Sequence, residues 1–284
     1  MMIWGISWSS AKVLSGYGSP LSITFIRFLF VPISLLPILF FSKTPIKISK
    51  KGALPALLGG ALMTCYTLLF FSGLQKGMPG AAGVLITISI PIITFVLNIL
   101  ISQKLPKKSS LVGLGIGLLA GSILLNVWEN YSSLFSFGNV FFIGAAITWA
   151  CMSLVTSKSA NYGSPISFNL WMHLIALAAI ACLVDFNEIQ SIATTGDFKF
   201  WSNILWFGII NSTVATTTYF YATTKLGSDK ANSFIFIVPS AAVFFSWLFL
   251  DEVVQLNTVI GGILGLVAVF IINGKISLSK KKVR

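Results

Sequence analysis

Residues 17 to 22 read YGSPLS, and residues 162 to 167 read YGSPIS. The same offset of 145 positions pairs Trp4 with Trp149, Tyr17 with Tyr162, and Ser19-Pro20 with Ser164-Pro165. Ser before Pro is a good helix start on its own, because the Ser hydroxyl caps a free N–H and Pro is preset for the first turn. That local reason covers the SP pair but not the Tyr, the Gly or the distant Trp. Further along, the offset becomes 148 and pairs Pro91 with Pro239, Gly113 with Gly261 and Gly117 with Gly265. The chain therefore reads as two copies of one unit, residues 1–137 and 138–284.

The solvent is set by composition: 56% of residues are hydrophobic and 9% charged, which belongs to a membrane protein rather than a soluble domain. A bilayer core of about 30 Å takes about 20 mostly apolar residues in a helix. Ten such segments are expected, at 1–14, 20–41, 53–74, 79–102, 109–126, 138–157, 165–184, 201–223, 231–250 and 257–274. They lack the alternation of an outer-membrane barrel, so the expected fold is an all-α membrane protein with ten transmembrane helices. Five crossings per copy is an odd number, which turns the second copy upside down and gives two inverted five-helix repeats. The basic connector Gln103-Lys104-Leu105-Pro106-Lys107-Lys108 and its acidic counterpart beginning Asp251-Glu252 agree with equivalent loops on opposite sides. Inverted repeats are common in secondary transporters, which bind substrate near the midplane where the repeats meet.

The net charge of +12 follows the same logic. With both termini in the cytoplasm, fifteen of the nineteen Lys and Arg fall inside and six of the seven acids outside, the positive-inside bias of a multi-pass inner (plasma) membrane protein. The basic excess needs no nucleic acid as partner. No cleavable signal is read at the start. The first segment, about 14 residues, reaches only about 21 Å, so either it does not cross fully or residues precede Met1. Cys65, Cys151 and Cys182 show no metal or redox spacing and read as small apolar packing residues. No cofactor is expected.

The chain resembles the drug/metabolite transporter superfamily, and within it the EamA-like ten-helix branch. The likeness covers nearly the whole chain. It rests on Trp4-Gly5, Lys12 eight residues after the Trp, Pro20 eight after that, Arg27 ahead of Phe28, and the matched prolines Pro91 and Pro239. The family's Gly-Glu after the fourth and ninth helices appears here as Gln103-Lys104 and Asp251-Glu252. The resemblance implies export of small metabolites, such as amino acids or related compounds, by alternating access. It also implies a cavity lined from the first, third, fourth, sixth, eighth and ninth helices.

Arg27 lies about 10 Å into the second segment, at a depth where a charge costs roughly 2.5 to 3.5 kcal/mol. It either snorkels to an interface or holds an anionic substrate group, and Lys12 divides the same way. All seven acids fall in expected loops or helix ends, so no carboxylate is left at depth to relay protons. His173, the only histidine, reads as packing or as a proton relay. Trp4, Trp149, Tyr66, Trp171, Tyr219 and Tyr221 are candidates for an aromatic cavity, and Asn211 heads the polar run Ser212, Thr213, Thr216, Thr217 and Thr218, which glues helices or lines a wet path. Gly113, Gly117, Gly121, Gly261 and Gly265 are spaced for close packing, within the chain or at a homodimer seam. Pro91 and Pro239 are candidate hinges at mid-helix. Three functions compete. A small-molecule transporter is favoured by the inverted repeat. A translocator of lipid or lipid-linked substrates would need a cleft open toward the bilayer. A membrane-embedded enzyme lacks the paired carboxylates, metal motif or phosphate loop its chemistry needs.

Overall fold

The computed structural model describes residues 1–76, 79–103, 105–124, 126–129, 138–250 and 256–274, and among these the chain is helical without strands. Lys104, Asp251, Glu252 and the basic tail from Lys275 to Arg284 lie outside the described residues. The elements of the first half are α1 (Met2–Leu14), α2 (Pro20–Phe41), α3 (Ala53–Lys76), α4 (Pro79–Ser102) and α5 (Lys108–Leu124). The second half begins with α6 (Asn139–Ser157) and α7 (Pro165–Ala181). The two SP starts behave alike: Ser19 Oγ accepts from Ser22 N–H at 3.2 Å and Ser164 Oγ from Ser167 N–H at 3.0 Å, each with Pro in the first turn.

The chain departs from the expected pattern after α7. An amphipathic helix, α8 (Phe186–Thr195), occupies what reads as a loop and turns 108° away from α7. Asp185 caps α8 by accepting from Asn187 N–H at 2.9 Å, and Asp197 caps the next helix by accepting from Phe200 N–H at 2.8 Å. That next helix is not one α-helix but a run of α9 (Phe198–Leu205), a π-helical stretch (Trp206–Ala215) and α10 (Thr216–Leu226). Gly227, at φ 83°, ends it in a conformation that L side chains resist. Then come α11 (Ser228–Ser233), a 3-10 turn (Phe234–Ile237), α12 (Val238–Leu250) and α13 (Leu256–Ile272). Pro239 is therefore not a mid-helix kink matching Pro91, which lies inside the continuous α4. The break in its segment is the 3-10 turn, and Pro239 sits in the first turn of α12, where a missing N–H costs nothing.

Among the described residues, four helical stretches are long and apolar enough to cross a membrane, Pro20–Phe41, Lys50–Lys76, Leu85–Ser102 and Asn139–Asn161, and α7 with α8 makes a fifth if the bent pair is one span. α5 and α13 are apolar but 17 residues long, about 26 Å at 1.5 Å per residue. α6 packs against α3 and α4, and α7 against α2 and α3. In the other direction, α12 packs on α1, the π stretch packs on α1 and α2, and α5 and α13 pack on each other. The largest buried side chains, including Phe28, Phe71, Phe142, Phe168 and Phe220, fill the space between these layers.

Candidate functional site

A cavity of about 70 Å³ lies where α1, α2, α3, α4, α6, α7 and the π stretch converge. Helical spacing decides which side chains reach it. Trp4, Ser7 and Trp8 lie on one face of α1, Met63, Tyr66 and Phe70 on one face of α3, and Ile86, Thr87 and Ile90 on one face of α4. The π stretch supplies Phe207, Asn211 and Ser212. Its wider turn is supported by hydroxyls reaching back five residues: Ser212 to the Phe207 carbonyl at 2.9 Å, Thr213 to that of Gly208 at 3.4 Å and Thr216 to that of Asn211 at 3.1 Å. The polar run centred on Asn211 thus shapes the backbone as well as the cavity wall.

Arg27 does not snorkel. It is 4% exposed, with its guanidinium 4.8 Å from the Phe28 ring and 4.7 Å from the Phe207 ring. Its Nη2 donates a long 3.4 Å bond to Thr67 Oγ1, and its Nε has no partner. Among the described residues no acid lines the cavity. The two rings offset part of the burial cost through their π faces, but a buried cation without a counter-ion remains an invitation to an anion.

The tryptophans paired by the repeat meet edge to face, with ring centroids 5.0 Å apart. Tyr66 lies 4.7 Å from Trp149, and Tyr219 lies 5.1 Å from Trp4 and 5.3 Å from Trp149. Tyr219 is not itself in the wall. Its hydroxyl pairs with Ser153 Oγ at 2.6 Å and donates to Asn232 Oδ1, and Asn232 Nδ2 donates to Thr94 Oγ1 at 2.7 Å. This buried polar chain ties α6, α10, α11 and α4 together beneath the aromatic floor. His173 also faces the cavity, its Nδ1 3.0 Å from the Asn169 carbonyl.

Other candidates sit elsewhere. Lys12 is exposed and its Nζ donates to the Leu74 carbonyl at 3.1 Å, closing the end of α3 rather than facing the cavity. Trp171 is 37% exposed and donates to the Ile46 carbonyl at 3.0 Å, and Tyr221 is 54% exposed. Trp8, Ser7, Met63 and Phe207 line the cavity although nothing in the sequence singles them out as site residues. The signal that finds Trp8 and Ser7 is their i+4 and i+3 spacing from Trp4.

The repeated hexapeptide meets a partner on each side of the molecule. Tyr17 Oη donates to Asp197 at 2.8 Å, while Ser19 N–H, Ser19 Oγ and Ser22 Oγ donate to the Glu188 carboxylate at 2.6, 2.7 and 2.5 Å. The second copy docks on the segment after α2 with no carboxylate: Ser49 N–H donates to the Tyr162 carbonyl at 2.7 Å and Ser167 Oγ to the Pro45 carbonyl at 2.6 Å. Partial burial alone would push the Glu188 carboxyl up, but the bonds from Ser19 and Ser22 outweigh it and hold it below the usual carboxylate range. A carboxyl lowered in the folded state contributes stability that is present above its ordinary value and lost as pH falls through the folded one. Glu188→Gln is therefore expected to lower stability at neutral pH by on the order of 1 kcal/mol, a charge-assisted bond discounted for solvent screening. Melting curves of both proteins across acidic pH check it, with the gap of about 2 to 4 °C closing as pH falls below the usual carboxylate range. A gap that persists at the acid end sinks the assignment.

The sequence pattern of the EamA-like transporter family matches residues 1–127 and 136–274. The chain is 26% identical over 290 residues to the uncharacterized transporter YoaV of Bacillus subtilis, covering 99% of this chain and 96% of that one. A chloroplastic WAT1-related protein of Arabidopsis thaliana is 28% identical over 74% of this chain and 52% of its own length. A probable amino-acid metabolite efflux pump of Salmonella typhimurium is 23% identical over 62% of this chain and 58% of its own. A protein crystal structure superposes with a TM-score of 0.71 at 14% identity over 95% of this chain and 93% of that one, a likeness of fold alone. With at least four helices long and apolar enough to cross a membrane among the described residues, this is a multi-pass membrane protein and not an enzyme, and the chain belongs to the EamA-like transporter family.

Proposed function

We propose that the protein is a secondary transporter exporting small carboxylate-bearing metabolites, amino acids or related compounds, across the inner membrane by alternating access. The observation that carries this reading is Arg27, a buried guanidinium at a cavity with no acid in its walls among the described residues. The name of the Salmonella relative, an amino-acid metabolite efflux pump, supports the substrate class. The proposed architecture is ten transmembrane helices in two inverted five-helix repeats, with the cavity between them. Exchange of contacts supports it: α4 on α6 has its counterpart in α12 on α1, and α3 on α7 in the π stretch on α2. Pro91 and Pro239 are proposed to flank the moving parts, the latter through the adjacent 3-10 turn.

Purified protein in proteoliposomes is the direct test. Counterflow of carboxylate-bearing metabolites is expected to be saturable, and movement of lipid-linked compounds alone would point to the translocator reading instead. Both termini are proposed to be cytoplasmic, from the basic loops. Reporter fusions after Arg284 and near Gly196 are expected to report inside and outside respectively, and an external C-terminus overturns the orientation.

A further inference from the structure

Four residues that line the cavity each carry a buried polar atom with no hydrogen-bond partner: Arg27 Nε, Trp149 Nε1, His173 Nε2 and Asn211 Oδ1. Buried polar groups are normally paired, because an orphan costs about 1 to 3 kcal/mol, so four in one cavity describe what should enter it. Arg27 Nε is a charged donor and asks for an anion. Trp149 Nε1 is a neutral donor, which an oxygen of an anionic group also serves. His173 asks for the opposite. Its Nδ1 lies 3.0 Å from the Asn169 carbonyl, which can only accept, so Nδ1 carries the hydrogen. A second hydrogen on Nε2 would place another positive charge beside Arg27 in walls that hold no acid, so the ring is neutral and Nε2 is a bare acceptor. Asn211 Oδ1 adds a second acceptor on the facing element. The Phe28 ring lies 4.8 Å from the guanidinium and 4.9 Å from the imidazole, so the charged donor and the acceptor flank one ring, within reach of a single small metabolite.

We propose that this cavity takes a ligand of net charge minus one, an anionic group joined to an uncharged O–H or N–H donor, as in a 2-hydroxy acid or an N-acyl amino acid, in preference to a zwitterion. This rests on the reading of the cavity as the substrate site. The anion neutralises Arg27, and the donor satisfies His173 Nε2 or Asn211 Oδ1. A zwitterion satisfies the same atoms but brings an ammonium into the cavity, leaving one positive charge in a poorly solvated space with no acid to offset it. The competing device, an ammonium over aromatic faces, has less to offer, since Trp4, Trp149 and Tyr219 pack on one another at 5.0 to 5.3 Å.

The test is binding to the purified full-length protein in detergent, read by intrinsic tryptophan fluorescence and by calorimetry, with two matched series. One is phenylalanine, N-acetylphenylalanine, 3-phenyllactate and 3-phenylpropionate, and the other is alanine, N-acetylalanine, lactate and propionate. In at least one series the hydroxy or N-acyl compound is expected to bind about 10-fold or more tightly than both the free amino acid and the donor-less acid, a factor one buried hydrogen bond or one uncompensated charge supplies. His173→Leu is expected to bring the hydroxy acid down to the donor-less acid while leaving the latter unchanged. His173→Gln, which keeps an acceptor, is expected to retain most of the preference and guards against a folding defect in the Leu variant. A free amino acid that binds as tightly as its hydroxy or N-acyl analogue overturns this proposal and leaves the carboxylate transporter standing. Failure of every compound in both series overturns both.

Discussion

Arg27→Gln is expected to slow transport of carboxylate-bearing substrates by about 100-fold at equal membrane abundance. The guanidinium is held between two rings, Arg27 lines the cavity and its Nε has no partner. Removing one member of a buried charge pair costs about 2 to 5 kcal/mol, and each 1.4 kcal/mol is tenfold. Arg27→Lys keeps the charge but not the planar fork, nor the flat stacking on Phe28 and Phe207, and is expected to lose about 10-fold. In the absence of substrate the Gln variant is expected to melt at the same temperature or higher, because it removes a buried cation that has no carboxylate partner in the wall. That combination of sound folding and failed transport separates a binding role from a structural one. Initial rates within about twofold of the parent for both variants would retire the carboxylate reading.

Gly261→Val is expected to cost about 3 kcal/mol, which lowers the melting temperature by on the order of 10 °C and sharply reduces the folded yield. A Cβ at Gly261 would fall 2.8 Å from the Ala120 carbonyl oxygen and 2.9 Å from Leu124 N, both backbone atoms that cannot swing aside. The contact is reciprocal: a Cβ at Gly113 would fall 3.1 Å from the Ala268 carbonyl oxygen and 3.2 Å from Ile272 N. Gly113 and Gly261, Ala120 and Ala268, and Leu124 and Ile272 are all separated by the same 148 positions. Gly113 and Gly261 thus let α5 and α13 approach each other, while Gly117 and Gly265 pack on Phe236 and Gly121 on Ile88, all inside one chain. A Cβ at Gly115, on the same helix as Gly113, would meet nothing within 4 Å, so Gly115→Ala is the control and is expected to hold or gain stability. Fluorescence-detected size exclusion after heating separates the two outcomes, and a Gly261→Val protein as heat-resistant as its parent removes the backbone-contact argument.

Much of the helical frame is legible along the chain. The expected segment 20–41 is α2, and that at 79–102 is α4. Both SP pairs cap helices because the reason is local: a hydroxyl three residues from the N–H it serves. Glycine spacing is legible too, since only small residues let two backbones approach, although the choice between a partner helix in the same chain and one in another is not. Helix α8 escapes a reading of the sequence because Phe186–Thr195 mixes polar and apolar residues, and the turn it seats on, with Ser19 and Ser22, is distant in sequence.

The cavity is legible only in part, through Trp4, Arg27, Tyr66, Trp149 and Asn211. Lys12, Trp171 and Tyr221 look equally suitable in the sequence, while Trp8, Met63 and Phe207 do not stand out. In a soluble protein an apolar residue reveals its side by contrast with water, but a membrane helix is apolar both toward lipid and toward its neighbours, so composition does not tell the two faces apart. Residue order alone therefore set where helices begin and which positions admit close approach. Tertiary packing decided which faces meet, left Arg27 with no counter-ion among the described residues, opened the π turn that brings Asn211 and Ser212 to the wall, and turned one copy of a repeated hexapeptide toward a carboxylate and the other toward the backbone of the segment after α2. Each of these depends on atoms brought together from segments far apart in the chain, and no local pattern encodes that distance.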